Sequence, residues 1–210
     1  MPLGLRERKK RRTRETIASA ALALFDAQGF RATTIAEIAE AADVAPRTVS
    51  AYFPAKEDLV FPDQDEMCEQ LEARLAARRE GETAIQALRG WIVEMLPEWE
   101  TREPELAVRR RVIESDEGLR AYGRRFSVRS HLIVAAAVAE DLSLTVDDLE
   151  PRLAGAATAA VLDVLAEHRD RFHAETAASG DVASRRDEAI ALIDRAITFV
   201  DAGVLALRAA

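Results

Sequence analysis

Apolar residues recur along this chain at the three-and-four spacing of helices, and no segment alternates as a strand would. Residues 1–10 carry no apolar periodicity and read as a disordered basic arm. From Thr13 a helical face begins, with Ile17, Ala20, Ala21, Leu24 and Phe25 in line, and it stops at Gly29, a C-cap type of residue. Thr34 followed three residues later by Glu37 predicts a capping box, so a second helix opens at Ile35 and buries Ile35, Ile38, Ala39 and Ala42. A third helix begins near Pro46, a residue suited to a first turn. It runs through Val49 and Tyr52 and ends before Pro54. Two short helices joined by a tight turn and braced by a longer one describe a helix-turn-helix bundle over 11–55.

The remainder, 56–210, reads as one helical domain. A connecting helix opens at Lys56–Leu59, with Pro62 as a kink. Helical faces follow over 83–96, 104–114, 117–141 and about 147–172. After a polar loop at Ala178–Asp181, a last helix covers 184–207. The fold class is therefore all-α, with about nine helices: a three-helix head and a larger C-terminal body.

Composition supports this reading: 49% hydrophobic residues allow a sizeable core, and 9 glycines and 7 prolines are too few for a turn-rich β fold. The formal net charge of −8 argues against a polyanionic partner until its distribution is seen. Residues 1–31 carry eight basic groups against three acids, whereas 59–210 carry 19 against 29. Such asymmetry suits a molecule with one end that meets nucleic acid; a solvated basic tail is the bland alternative. A lone cysteine, Cys68, the absence of a secretory pattern after Met1 and the lack of a long apolar run lead to the expectation of a cytoplasmic protein.

Residues 13–59 resemble the TetR family of bacterial repressors. The likeness is carried by Thr13-Arg14-Glu15-Thr16-Ile17, Ala20-Ala21-Leu22-Ala23-Leu24-Phe25 and Gly29-Phe30-Arg31-Ala32-Thr33-Thr34-Ile35. It continues in Ile38-Ala39-Glu40-Ala41-Ala42, Val44 and Thr48-Val49-Ser50-Ala51-Tyr52-Phe53-Pro54-Ala55-Lys56-Glu57-Asp58-Leu59. The resemblance implies a three-helix DNA-binding head, a linking helix, a homodimer held by the last two helices and a palindromic operator in double-stranded DNA. It also implies repression relieved when a small-molecule effector binds the body. Two departures stand out: Asp43 occupies the turn where the family often has glycine, and Ala45 replaces the usual Ser or Thr cap.

The resemblance and the residue types together nominate a DNA-contacting set. Arg12 and Arg14 lie at the start of the first helix within reach of phosphates, and Arg6, Arg8, Lys9, Lys10 and Arg11 extend outward toward an adjacent groove. Thr34 sits at a helix N-terminus, as a phosphate contact or as a cap alone. Tyr52 and Lys56 hold the family's phosphate-contacting positions, core packing being the alternative for Tyr52. Pro46, Arg47, Ser50 and Ala51 face the groove, Thr48 lies near the backbone and Val49 points to the core. Arg47 is the natural base reader, because its fork matches guanine O6 and N7; a phosphate contact is its duller option.

In the body, the small residues of Leu153–Ala160 and the apolar residues Ile190, Leu192, Ile193, Ile197, Phe199, Val200 and Val204 suggest a dimer surface, with intramolecular core as the competing reading. Trp91, Met95, Trp99, Tyr122, Phe126, Arg129 and His131 are candidates to line a ligand pocket, against the alternative of ordinary core. His168 and His173 are five apart and lack the i, i+4 geometry of a helical metal site, so neither metal nor cofactor is expected. No nucleophile elbow, phosphate-binding loop or zincin motif is present, which argues against an enzyme. A helical carrier of lipid-like molecules would fit the body but leaves 33–56 unexplained, and an activator remains the alternative regulatory output.

Overall fold

The computed structural model describes residues 4–176 and 182–208. The described residues form nine α-helices and no strand: α1 (Leu5–Gln28), α2 (Ile35–Ala41), α3 (Pro46–Tyr52), α4 (Gln64–Ala76), α5 (Ala84–Thr101), α6 (Glu103–Ser115), α7 (Glu117–Leu142), α8 (Leu149–Thr176) and α9 (Val182–Arg208). A 3₁₀ turn, Glu57–Leu59, replaces the connecting helix expected there, and α4 starts only beyond Pro62. The first helix starts at Leu5 rather than Thr13, so residues 5–10, expected as a disordered arm, are helical. The expected loop at Ala178–Asp181 lies outside the described residues, apart from its neighbours at the ends of α8 and α9.

The chain divides into two compact units, 1–65 with 101–125 and 66–100 with 126–210. This differs from the boundary at 55/56 expected from sequence. Residues 101–125 cluster with the head because α6 packs along α1.

In the first unit, Ile17, Ala21 and Phe25 of α1 close over Ile38, Ala39, Val49, Phe53, Leu59 and Val60, all buried. The capping box foreseen for α2 is complete. The Glu37 amide donates to Thr34 Oγ1 at 3.2 Å, and the Thr34 amide donates to Glu37 Oε2 at 2.7 Å. The turn to α3 is a Schellman motif, in which Val44 N donates to Ala39 O at 2.9 Å and Asp43 N to Glu40 O at 3.1 Å. Asp43 adopts φ 54°, the left-handed region where glycine is at ease. Asp43→Gly is therefore expected to raise the unfolding free energy by about 0.5–1 kcal/mol through relief of backbone strain. A urea midpoint at or below that of the parent would contradict this.

In the second unit, Leu71, Leu75, Ile85, Leu88, Trp91, Ile92 and Leu96 meet Val134, Val138 and Ala154, together with Ile193, Ile197, Val200 and Val204 of α9, in a single core. Arg74–Glu82, Arg78–Glu140 and Arg89–Asp194 ion pairs brace its surface. The Glu82 carboxyl is held down to about 2, chiefly by the hydrogen bond from Arg74. The small-residue stretch of α8 splits between two faces: Ala154, Gly155 and Thr158 are buried, while Leu153, Ala156, Ala157 and Ala160 are exposed.

Candidate nucleic-acid interface

The recognition-type helix α3 is seven residues long, and its two faces are chemically distinct. Val49 is fully buried, while Pro46, Arg47, Ser50 and Ala51 are exposed and Thr48 and Tyr52 half-buried. That is the orientation expected from sequence. Ala45 provides no side-chain cap, and Pro46 starts the helix at a position where the missing N–H is harmless. The Arg47 guanidinium makes no hydrogen bond or ion pair among the described residues, so its fork is available to a ligand.

The C-terminal end of α3 is held by Arg14. Its Nη1 donates to Tyr52 O at 2.7 Å, its Nη2 and Nε donate to Pro62 O at 3.0 and 3.4 Å, and its guanidinium lies 4.3 Å from the centroid of the Phe53 ring. A cation at a helix C-terminus satisfies orphan carbonyls and opposes the negative end of the dipole. Arg14 was expected at a phosphate. Its side chain is engaged within the head, where Tyr52 O at the end of α3 and Pro62 O ahead of α4 both accept from it. Arg12, two residues earlier and on the far side of the helix, is exposed.

Lys56 is also engaged within the head. Its ammonium donates to Phe30 O at 2.6 Å and lies 4.5 Å from the Phe30 ring centroid. Partial burial depresses its pKa, an effect opposed by Glu57, Glu37 and Asp116. An ammonium carries three donors, so the contact with Phe30 fixes the head group while leaving hydrogens for an anion. The Thr34 hydroxyl accepts from the Glu37 amide and lies 2.7 Å from Glu37 Oε2. Donation from the Thr34 hydroxyl and the Thr34 amide to Glu37 Oε2 holds that carboxyl below the usual range, and Thr34 is engaged as a cap.

A second set of contacts was not legible in sequence. Arg31 Nε meets Asp116 Oδ2 at 2.7 Å, and Asp116 also accepts from the amides of Gly118 and Leu119 at the start of α7. The Arg31 hydrogen bond is the main reason the Asp116 carboxyl sits below its ordinary value. Arg111 pairs with Asp26 at 3.1 Å, and Tyr122 Oη donates to Asp58 at 2.5 Å, which pushes the phenol up to about 12. These pairs are separated by 64 to 85 residues, and no local motif announces them.

The comparisons with known proteins accord with this geometry. The profile described as "Bacterial regulatory proteins, tetR family" matches residues 17–61. The HTH-type transcriptional regulator TcmR of Streptomyces glaucescens is 37% identical over 161 residues, covering 71% of this chain and 69% of that protein. This chain belongs to the TetR family. It is a transcriptional regulator with an N-terminal helix-turn-helix.

Solved family members show the same fold at low identity. FadR from Bacillus subtilis in complex with stearoyl-CoA superposes with a TM-score of 0.60 at 18% identity, over 90% of this chain and 98% of that one. The SmeT–triclosan complex gives 0.58 at 17%, over 89% and 90%. NalD, the secondary repressor of the MexAB-OprM multidrug efflux pump in Pseudomonas aeruginosa, gives 0.53 at 20%, over 90% and 97%.

Of the seven residues nominated for a TetR-type pocket, six belong to the second unit and Tyr122 to the first. Trp91 is buried in the second unit's core with Met95 and Trp99 against it, the two indoles 6.0 Å apart edge to face. Phe126, Arg129 and His131 are half-buried on the same unit's part of α7. Tyr122 belongs to the first unit, stacked on Phe61 at 5.9 Å. A cleft of about 390 Å³ opens between α8 and α9, lined by Val164, Leu165, Leu192, Arg195 and Ala196, none of them nominated. The side chains of His168 and His173 lie outside the described residues. No described helix is long and apolar enough to cross a membrane.

Proposed function

We propose that this chain is a homodimeric, cytoplasmic repressor that binds a palindromic operator and is released by a small-molecule effector held in its second unit. The observation that carries the reading is α3: a buried Val49 anchors a short helix whose opposite face offers an unpaired arginine and small side chains. Such a helix fits the major groove. Arg47 reads a base edge, with Pro46, Ser50 and Ala51 against the groove. Arg12, Thr48, Tyr52 and Lys56 meet phosphates, together with the Thr34 end of α2. Regulation of this kind involves no catalytic residue, metal or cofactor.

Dimerisation runs through α8 and α9. With Ile193, Ile197, Val200 and Val204 already used in the core, the apolar surface left over is a stripe of Leu149, Leu153, Ala156, Ala160 and Val164 on α8. It is joined by Phe199, Ala202 and Leu205 on α9. Phe199 is 71% exposed in the single chain, and a second copy is the partner such a stripe fits. The effector carries a large apolar part, by analogy with the acyl chain of the stearoyl-CoA and the triclosan held by FadR and SmeT.

Arg47→Ala is expected to weaken binding to a selected operator by about 1–3 kcal/mol while flattening preference at one base pair. Lys56→Ala should weaken selected and scrambled duplexes alike. Gel shifts on both duplexes separate the two roles. Sequence-selective losses of equal size from both variants would refute the assignment, and a chain indifferent to duplex DNA would refute the function.

A further inference from the structure

The N-terminal extension of α1 is the most concentrated charge on the molecule, and it lies outside the packed head. The first buried residue of α1 is Ile17; Leu5 to Arg12 are all exposed. Within that stretch Arg11 pairs with Glu15 at 2.9 Å, whereas Arg6, Arg8, Lys9, Lys10 and Arg12 make no ion pair among the described residues. The one acid in the stretch, Glu7, stands four residues before Arg11. Arg6/Lys10 and Arg8/Arg12 are like charges at i, i+4, and Arg6/Lys9 and Lys9/Arg12 are like charges at i, i+3, spacings at which repulsion destabilises an isolated helix. A polyanion relieves that repulsion.

Because the segment is a helix and not a tail, the charges have fixed directions. At about 100° per residue, Arg6 and Lys10 form one row and Arg8 and Arg12 another, roughly 160° away, with Lys9 between them. A flat phosphate surface would engage one row and waste the other. A groove of duplex DNA has phosphates on both walls and accepts both. Residues 5–12 span about 12 Å, against a phosphate about every 3.4 Å of axis on each strand. The rod is rigidly continuous with Arg14, which grips Tyr52 O at the end of α3, so its place is beside the half-site that α3 reads.

We propose that residues 5–12 form a helical DNA-binding element, distinct from α3, that lies in the groove flanking each half-site and contacts both phosphate walls through its two basic rows. This rests on the operator-binding function proposed above. The test uses the full chain and fluorescence anisotropy on two probes, a duplex selected from random sequences and a mixed-sequence duplex, between about 50 and 200 mM salt.

Arg6→Gln/Lys10→Gln should make the log–log salt slope shallower by up to about 1.8 per subunit, Arg8→Gln in the other row by up to about 0.9, and the threefold variant by up to about 2.7. Base preference should be unchanged and the melting temperature should not fall, since no core residue is touched and like-charge repulsion is relieved. Lys9→Pro should cost more slope than Lys9→Gln, because it breaks the rod while removing the same charge. A parental slope from either row variant, or equal slopes from Lys9→Pro and Lys9→Gln, overturns the proposal while leaving operator binding intact. A parent that binds neither probe overturns both.

Discussion

Gly155→Ala is expected to destabilise the protein by about 2–3 kcal/mol, against the sign of helix propensity. In an exposed helix interior the same change stabilises by about 1 kcal/mol, because glycine loses more backbone freedom on folding. Here, however, a Cβ at position 155 would sit 2.5 Å from the carbonyl oxygen of His131 and 3.0 Å from the Cβ of Ala135. The first neighbour is backbone in the middle of α7 and cannot rotate aside, so α7 and α8 must separate or shift. Overpacking of that kind typically costs about 1–3 kcal/mol and also disturbs the neighbouring core. Ala154, beside Gly155, is itself part of that core, so the strain reaches residues that hold the second unit together. Urea unfolding of the full chain measures the effect directly. An unchanged or raised midpoint would show that the close approach of α7 and α8 is not needed for stability.

Arg14→Ala should cost about 3 kcal/mol and loosen the end of α3. The change removes three donations to two backbone carbonyls and the contact with the Phe53 ring. Hydrogen bonds to a charged group are worth about 1.5–3 kcal/mol each when the acceptor is left unsatisfied, and they are not fully additive. Arg14→Lys is the informative companion. It keeps the charge but loses the fork that reaches Tyr52 O and Pro62 O together. If the position acts as a clamp, lysine restores neither the melting temperature nor operator affinity. Full recovery by lysine would assign the position to a phosphate after all.

The first three helices could be read from the sequence because their determinants are local. A capping box needs only Thr34 and Glu37, a proline start needs only Pro46, and the core face of α3 follows from the spacing of Val49 and Phe53. The start of α1 was misread for the opposite reason. No buried residue precedes Ile17, so periodicity had nothing to report before it, although the segment is made of good helix formers. The candidate pocket was the least legible part. Aromatic residues on an amphipathic stripe look alike whether they face a ligand, a core or another element, and Tyr122 joins the head through Asp58, 64 residues away in sequence.

By itself, the sequence determined what neighbouring residues can settle: an all-α chain of about nine helices, a helix-turn-helix with an outward Arg47 and a basic N-terminal stretch on an acidic chain. Only the tertiary structure decided how distant residues share their work. It assigned Arg14 to the carbonyls at the end of α3, tied Arg31 to Asp116 and placed residues 101–125 with the head. The physical reason is that periodicity and capping act within one or two turns of chain, whereas a guanidinium chooses among all the carbonyls and carboxylates that folding brings within about 3 Å.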